Sequence, residues 1–252
     1  MVQISKLVDD CDARLDAAAI ADFCPNGLQV AGRDDVRRLV SGVTASTALL
    51  DAALACEADA VLVHHGYFWK GEDARIVGMK AARIRRLIRH DVSLIAYHLP
   101  LDVHPELGNN ACLAEVLGVP SPAREPAMGV AGLLWHGALA EALNADALAA
   151  RIGEALQRPP VHVGDGPARI RRIAWCSGGA QKLLPQAAAL GVDAFVSGEI
   201  SEQTTHEARE LGVHYFAAGH HATERGGVQA LGRWLAQRHG LEHRFIDIDN
   251  PA

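Results

Sequence analysis

The chain has no Cys-x-x-Cys spacing, and its five cysteines, Cys11, Cys24, Cys56, Cys112 and Cys176, are scattered and odd in number. That argues against a thiolate zinc cluster or a disulfide framework and leads us to expect reduced thiols in a cytoplasmic protein. No apolar run reaches the ~18 residues of a membrane span. The opening residues, Met1 to Lys6, lack a basic region followed by an apolar stretch, so no secretory signal is expected. Positive charge is not in excess. A net charge of −6 gives no general attraction to nucleic acid or an anionic membrane, which leaves only a local basic patch for such a role. Aromatic residues make up only 5% of the chain while alanine, valine and leucine abound, a composition suited to helices packed on sheets. No Gly-x-x-x-x-Gly-Lys-Ser/Thr loop occurs, and no low-complexity tract is present.

What is present centres on Val61-Leu-Val-His64-His65-Gly66. A strand-like apolar run delivers two adjacent histidines and then a glycine. Neighbouring side chains on a strand point to opposite faces, so two imidazoles serving one site require the strand to end near His64 and turn, which Gly66 permits. A length of 252 residues accommodates one large domain or two modest ones. From Arg38 onward strands and helices alternate. Strands are expected over Leu39–Val43, Asp59–Val63 and Val92–Tyr97, with helices over Ala45–Ala55 and Ala74–His90. The arginines of the last helix read as a solvated face. Short helices are expected at Val2–Leu15 and Asp16–Phe23, and a surface turn at Cys24–Val30. Pro120–Pro126 reads as a linker, with strands beyond it at Gly132–Ala140, Val161–Val163, Ile170–Cys176, Asp193–Ser197, Val213–Ala217 and His243–Ile248. Such alternation indicates mainly parallel sheets with helices on their faces.

The chain also echoes itself. Ala58-Asp59-Ala-Val-Leu-Val63 resembles Val192-Asp193-Ala-Phe-Val-Ser197, and each lies between a strand–helix pair and a further helix and strand. The third strand of each set ends in a histidine with a carboxylate four residues on, His98/Asp102 and His220/Glu224. The expected fold is therefore two similar three-layer α/β lobes with a metal site in the cleft between them. The first lobe comprises 1–126 and 221–252, the second 127–220. His64, His65, His98, Asp102, His220 and Glu224 would then supply four imidazoles and two carboxylates, a donor set for a pair of divalent transition metals such as iron, manganese, zinc or nickel. Glu224 is the expected bridge, and Asp102, in a proline-containing loop, would serve one ion.

At these residues the sequence resembles a known family. The runs from His64 to Glu72, Tyr97 to Asn110 and Phe216 to Gly227, together with Pro25–Gln29 and Ser197–Glu202, are similar to the YbgI branch of the NIF-three family. Its members are often called homologues of type 2 GTP cyclohydrolase I. The resemblance spans nearly the whole chain. It implies two α/β lobes, a dinuclear metal centre ligated by the six residues named above, and assembly of subunits into a hexameric ring.

Two metals make a nucleophile at neutral pH and polarise the bond under attack. The expected activity is hydrolysis of a nucleotide or pterin-like ring, of the GTP cyclohydrolase type. His221, Glu199 and His104 are the expected proton-transfer groups, each with the alternative of hydrogen-bonding a ligand. Lys70 and Arg225 are candidate phosphate contacts, and Gly226-Gly227 a site of close packing. Two other readings compete: a metal-stabilised ring acting as an interaction scaffold, and a metal-dependent phosphoesterase or nuclease linked to DNA repair.

Overall fold

The computed structural model describes all 252 residues. In chain order it runs β1 (Val2–Gln3), α1 (Ile4–Leu15), β2 (Gly27–Val30), β3 (Asp35–Val36), β4 (Arg38–Thr44), α2 (Thr47–Ala55), β5 (Ala60–His65), α3 (Gly78–Arg89), β6 (Ser93–Ala96) and α4 (Leu99–Val103). Then come α5 (Asn109–Leu117), β7 (Ala123–Ala127), β8 (Val130–Leu143), α6 (Ala145–Leu156), β9 (Val161–Val163), β10 (Ile170–Trp175), α7 (Leu184–Ala189), β11 (Ala194–Ser197), α8 (Glu202–Leu211), β12 (His214–Ala217), α9 (His220–Thr223), α10 (Arg225–His239) and β13 (Glu242–Phe245). No helix is long and apolar enough to cross a membrane. The chain forms two compact units: Met1–Leu101 with Gly227–Asp249, and Asp102–Gly226 with Asn250–Ala252.

The first unit holds a five-stranded sheet in the order β13-β4-β5-β6-β2, with β13, β4, β5 and β6 parallel and β2 antiparallel. Alternation along the strands builds two buried faces. Val40, Val61, Val63, Leu94 and Ala96 pack with Leu49, Leu50 and Ala53 of α2 and Ile84 and Leu87 of α3. The other face, Leu39, Leu62 and Ile95, is equally buried. The amphipathic helices α1 and α10 supply buried stripes of their own, Leu7, Cys11 and Leu15 on one, Val228, Leu231 and Leu235 on the other. An ion pair of Arg238 with Asp10 at 3.0 Å ties these two helices together.

The second unit holds a six-stranded sheet, β7-β8-β10-β11-β12-β9, with a parallel centre of β10, β11 and β12 and antiparallel strands on both sides. Ile173, Trp175, Val196 and Phe216 pack with Leu113 and Leu117 of α5 and with Leu148, Ile152 and Leu156 of α6. Phe195 and Tyr215 alternate with these residues and are also fully buried.

The internal echo is present in the backbone. In each unit the first, second and third strands are parallel in sequence order, and an antiparallel edge strand (β2 or β9) flanks the third. The paired aspartates do the same work. Asp59 Oδ2 accepts the N–H groups of Arg37 and Arg38, and Asp193 Oδ2 those of Arg171 and Arg172, at 2.7 to 2.9 Å. Each carboxylate thereby fastens the start of the preceding strand.

Several expectations change. The helix expected over 16–23 is only a 3-10 turn at Ala17–Ala19. The expected linker at 120–126 contains β7, whose backbone pairs with β8. The units divide at Leu101/Asp102 and Gly226/Gly227, whereas the sequence placed the divisions at 126 and 221. The reason is that α5 packs on α6 and β8. The loop expected around Asp102 is the short helix α4, whose second residue, Pro100, needs no N–H donor there.

Candidate metal centre

The strand β5 does not stop at His64. It continues through His65, which is in register with Thr44 of β4. Ladder pairing with β6 ends at Val63↔Ala96, and the next residue, His64, has a fully buried ring. Its Nδ1 donates to the Tyr97 carbonyl at 2.9 Å. The His64 and His65 ring centroids lie 4.6 Å apart, and His98 stands 5.0 and 5.9 Å from them. Ligand atoms of all three imidazoles fall within 4.8 Å of one another. Gly66 matters less for a turn than for room: a Cβ there would collide with Gln29 Oε1, the oxygen that accepts from Tyr67 N–H.

The stretch from Asp22 to Gly27, where sequence alone reads the end of a short helix and the start of a surface turn, is the anchor of His98. Asp22 Oδ1 holds His98 Nδ1 at 2.7 Å, Asp22 Oδ2 accepts the Leu99 N–H, and Asn26 Oδ1 accepts the His98 N–H. Burial works to raise the Asp22 carboxyl, but the His98 contact and the Asn26 and Phe23 donors outweigh it and hold it below the usual range. Cys24 also has its thiol in reach of Asp22 and His98. Burial pushes that thiol up to about 12, and Asp22 is committed to four donors, which gives it the part of an anchor.

In the second unit, β12 ends at Ala217 and α9 begins with His220. His220 Nδ1 is held by Glu199 Oε1 at 2.7 Å, and its Nε2 lies 3.2 Å from Glu224 Oε2. Burial lowers the affinity of His220 for a proton, but the two carboxylates prevail and push its pKa up to about 9. The contact with His220 in turn holds Glu199 below the usual carboxylate range. Such a pocket of negative potential suits a cation. Gly178, at φ +66°, brings its backbone against Glu224; a Cβ there would collide with Glu224 Oε1 and sit 3.1 Å from His220 Nε2. The buried Asp102 accepts from Asn109 Nδ2 and from Ser177 Oγ, both at 2.9 Å and both on Oδ1. Burial, then the charges of Asp102 and Glu224, push the neighbouring Cys176 thiol well above its usual range.

The imidazoles are oriented as metal-ligating histidines are. Every imidazole is fixed through Nδ1 by an oxygen: His64 by Tyr97 O, His65 by Thr44 Oγ1, His98 by Asp22 and His220 by Glu199. Each ring therefore presents Nε2 as its ligand atom, and an outer oxygen partner is what a metal-ligating histidine usually has. Among the residues around these groups, the sequence offers Glu199 as a candidate, for proton transfer or for a hydrogen bond to a ligand, but not Asp22, Thr44, Ser177, Asn109 or Gly178. The only signal for Asp22 was its position beside the Pro25–Gln29 motif.

The remaining expected residues have local roles. His104 Nδ1 accepts the N–H groups of Glu106 and Leu107, closing a turn. His221 is buried, and its backbone N–H donates to Ala252 O. Arg225 donates to the Leu156 carbonyl, and Lys70 lies exposed on the turn after β5. At Gly226 a Cβ would meet Cys112 at 2.5 Å, so that glycine serves close packing.

Known proteins agree with this architecture. The family model Duf34/NIF3 (NGG1p interacting factor 3) matches residues 2–251. A protein of Allochromatium vinosum called "GTP cyclohydrolase 1 type 2 homolog" is 57% identical over 100% of this chain and 98% of its own length. A Pseudomonas aeruginosa protein of the same name is 56% identical over 100% and 99%. Among solved structures, protein ybgI, described as of unknown function, superposes with a TM-score of 0.96 at 50% identity and complete coverage of both chains. A Thermus thermophilus protein follows at 0.91 and 34%, again with complete coverage. A match from end to end, together with this level of identity, leads to one conclusion: the chain belongs to the Duf34/NIF3 family.

Proposed function

We propose that His64, His65 and His98 of the first unit and Asp102, His220 and Glu224 of the second hold two divalent transition-metal ions per subunit, and that the loaded protein hydrolyses a nucleotide or pterin-like ring. One observation carries this reading: four imidazoles, each oriented by an oxygen on Nδ1, accompany two buried carboxylates. The cyclohydrolase wording in the names of the relatives supports the substrate class. Two such ions would supply Lewis acidity and a nucleophile at neutral pH.

The chain's own residues divide the remaining work. Asp102, which accepts Asn109 and Ser177 on Oδ1, would help to hold one ion. Glu224, with Oε1 against Gly178 and Oε2 beside His220, would supply negative charge to offset the ions. Glu199 and His104 make positioning contacts, and the buried His221, next to a ligand in sequence, is the residue to which we assign proton transfer.

The test is anaerobic reconstitution with iron, manganese, zinc or nickel, metal analysis, and a hydrolysis screen over nucleotides and pterins. Two ions per chain and turnover of one ring class are expected. Protein that retains no transition metal would overturn the reading. Metal without turnover would favour the scaffold alternative.

A further inference from the structure

Tyr67-Phe68-Trp69 is a run of three aromatic residues in a chain that is only 5% aromatic. Tyr67 is a core residue, 5% exposed, with its hydroxyl donating to Ala45 O. Phe68 packs at the margin of that core, with the Lys80 ammonium 5.7 Å from its ring centroid. Trp69 departs from both. It is half-buried, and its ring lies edge-on to His98 at 4.9 Å and tilted to His65 at 6.0 Å. An indole, the largest apolar side chain, thus stands beside two imidazoles rather than in the core.

The turn that puts it there is over-determined. Phe68 adopts φ +66°, a left-handed conformation that a side chain this bulky seldom takes. Trp69 N–H is held by Glu72 Oε2, which belongs to a carboxylate ion-paired to Lys80 at 2.8 Å. Lys70 N–H donates to Phe23 O, next to the Asp22 that anchors His98. Unfavourable backbone geometry kept in place by this many contacts is characteristic of positions that serve a site.

We propose that Trp69 is the stacking wall for the substrate ring, so that a planar purine- or pterin-like heterocycle lies against the indole beside His65 and His98. The proposal names the binding residue for the substrate class inferred above and rests on that reading. Stacking demands only a flat π-face and tolerates ring substituents, so the ring alone should bind without its phosphates.

The experiment titrates guanosine, neopterin, GTP and inorganic triphosphate into wild-type protein, Trp69→Phe and Trp69→Ala, each with and without added manganese, and measures bound metal in parallel. Guanosine and neopterin are expected to bind wild type and Trp69→Phe. Trp69→Ala should bind them about ten- to a hundredfold more weakly, with inorganic triphosphate and metal content unchanged. Equal guanosine affinity in Trp69→Ala and wild type, or binding of neither ring by wild type, would overturn the proposal. Loss of metal in Trp69→Ala would also overturn it, because the indole would then be a positioner of the imidazoles. Absence of metal from wild type alongside Trp69-dependent ring binding would sink the dinuclear reading and leave the stacking wall standing.

Discussion

Two donors converge on a single oxygen of Asp102, while Glu224 has a glycine on one oxygen and an imidazole beside the other. This asymmetry separates the expected consequences of neutralising each. Glu224→Gln keeps the shape but removes the charge that offsets two cations, and at least one ion per chain should be lost while circular dichroism reports an unchanged fold. Asp102→Asn should weaken metal by about 10–100-fold without abolishing it. Full stoichiometry in Glu224→Gln with both ions gone in Asp102→Asn would make Asp102, not Glu224, the shared carboxylate. Asp22→Asn reaches the metal only through His98, so metal affinity should fall by about 10–100-fold although the imidazole itself is retained. An unchanged metal titration for Asp22→Asn would show that the His98 contact is structural alone. The imidazoles are legible in the sequence because strand ends and doubled spacing mark them. Their holders are not: Asp22 lies 76 positions from His98, and only the return of the chain brings the two together.

At the level of elements, the duplicated strands are legible because they carry short apolar runs, such as Ala60–Val63 of β5 and Leu94–Ala96 of β6, of the kind a buried parallel strand shows. The strand β7 was not, since Pro122 and Pro126 mask a segment that satisfies its backbone against β8. The Asp59 and Asp193 staples lie between these cases, visible as an echo but without a function until the N–H groups they accept are seen. Burial raises the Asp59 carboxyl, yet the N–H groups of Arg38 and Arg37 and the charges of Arg33 and Arg38 bring it below its ordinary value. A carboxyl depressed in the folded state adds stability above its unfolded pKa of about 3.9 and loses it as pH falls through the folded value. Asp59→Asn should therefore be less stable than wild type at pH 7, by roughly 1–3 kcal/mol, with the gap narrowing as pH drops below about 4. Urea titrations at pH 7, 4 and 3 measure this; a gap that stays constant across them would refute the linkage.

At the scale of the molecule, metal that binds only the folded chain should stabilise it. A free metal concentration a hundredfold above Kd adds about 2.7 kcal/mol. For a chain of this length that corresponds to a rise in melting temperature of roughly 5–10 °C, reversed by chelation. Scanning calorimetry with and without manganese checks it, and no shift at saturating metal would count against the site. The hexameric ring implied by family resemblance is expected to sediment at six times the 26.8 kDa chain mass; a monomer or dimer by analytical ultracentrifugation would refute it.

The first unit is also discontinuous: its sheet is completed by β13, which pairs with β4, and α10 belongs to it as well, yet both lie beyond the roughly 125 residues of the second unit. On the ribosome this has a cost in time. At about 5–20 residues per second, a nascent β4-β5-β6 sheet waits about 6–25 s for its last strand and helix, with an open edge beside β4 throughout. The second unit, nearly contiguous in sequence, emerges whole during that interval. Translation thus lets the later-encoded half complete its sheet first, while the earlier half keeps an unpaired edge at β4 until the chain is nearly finished.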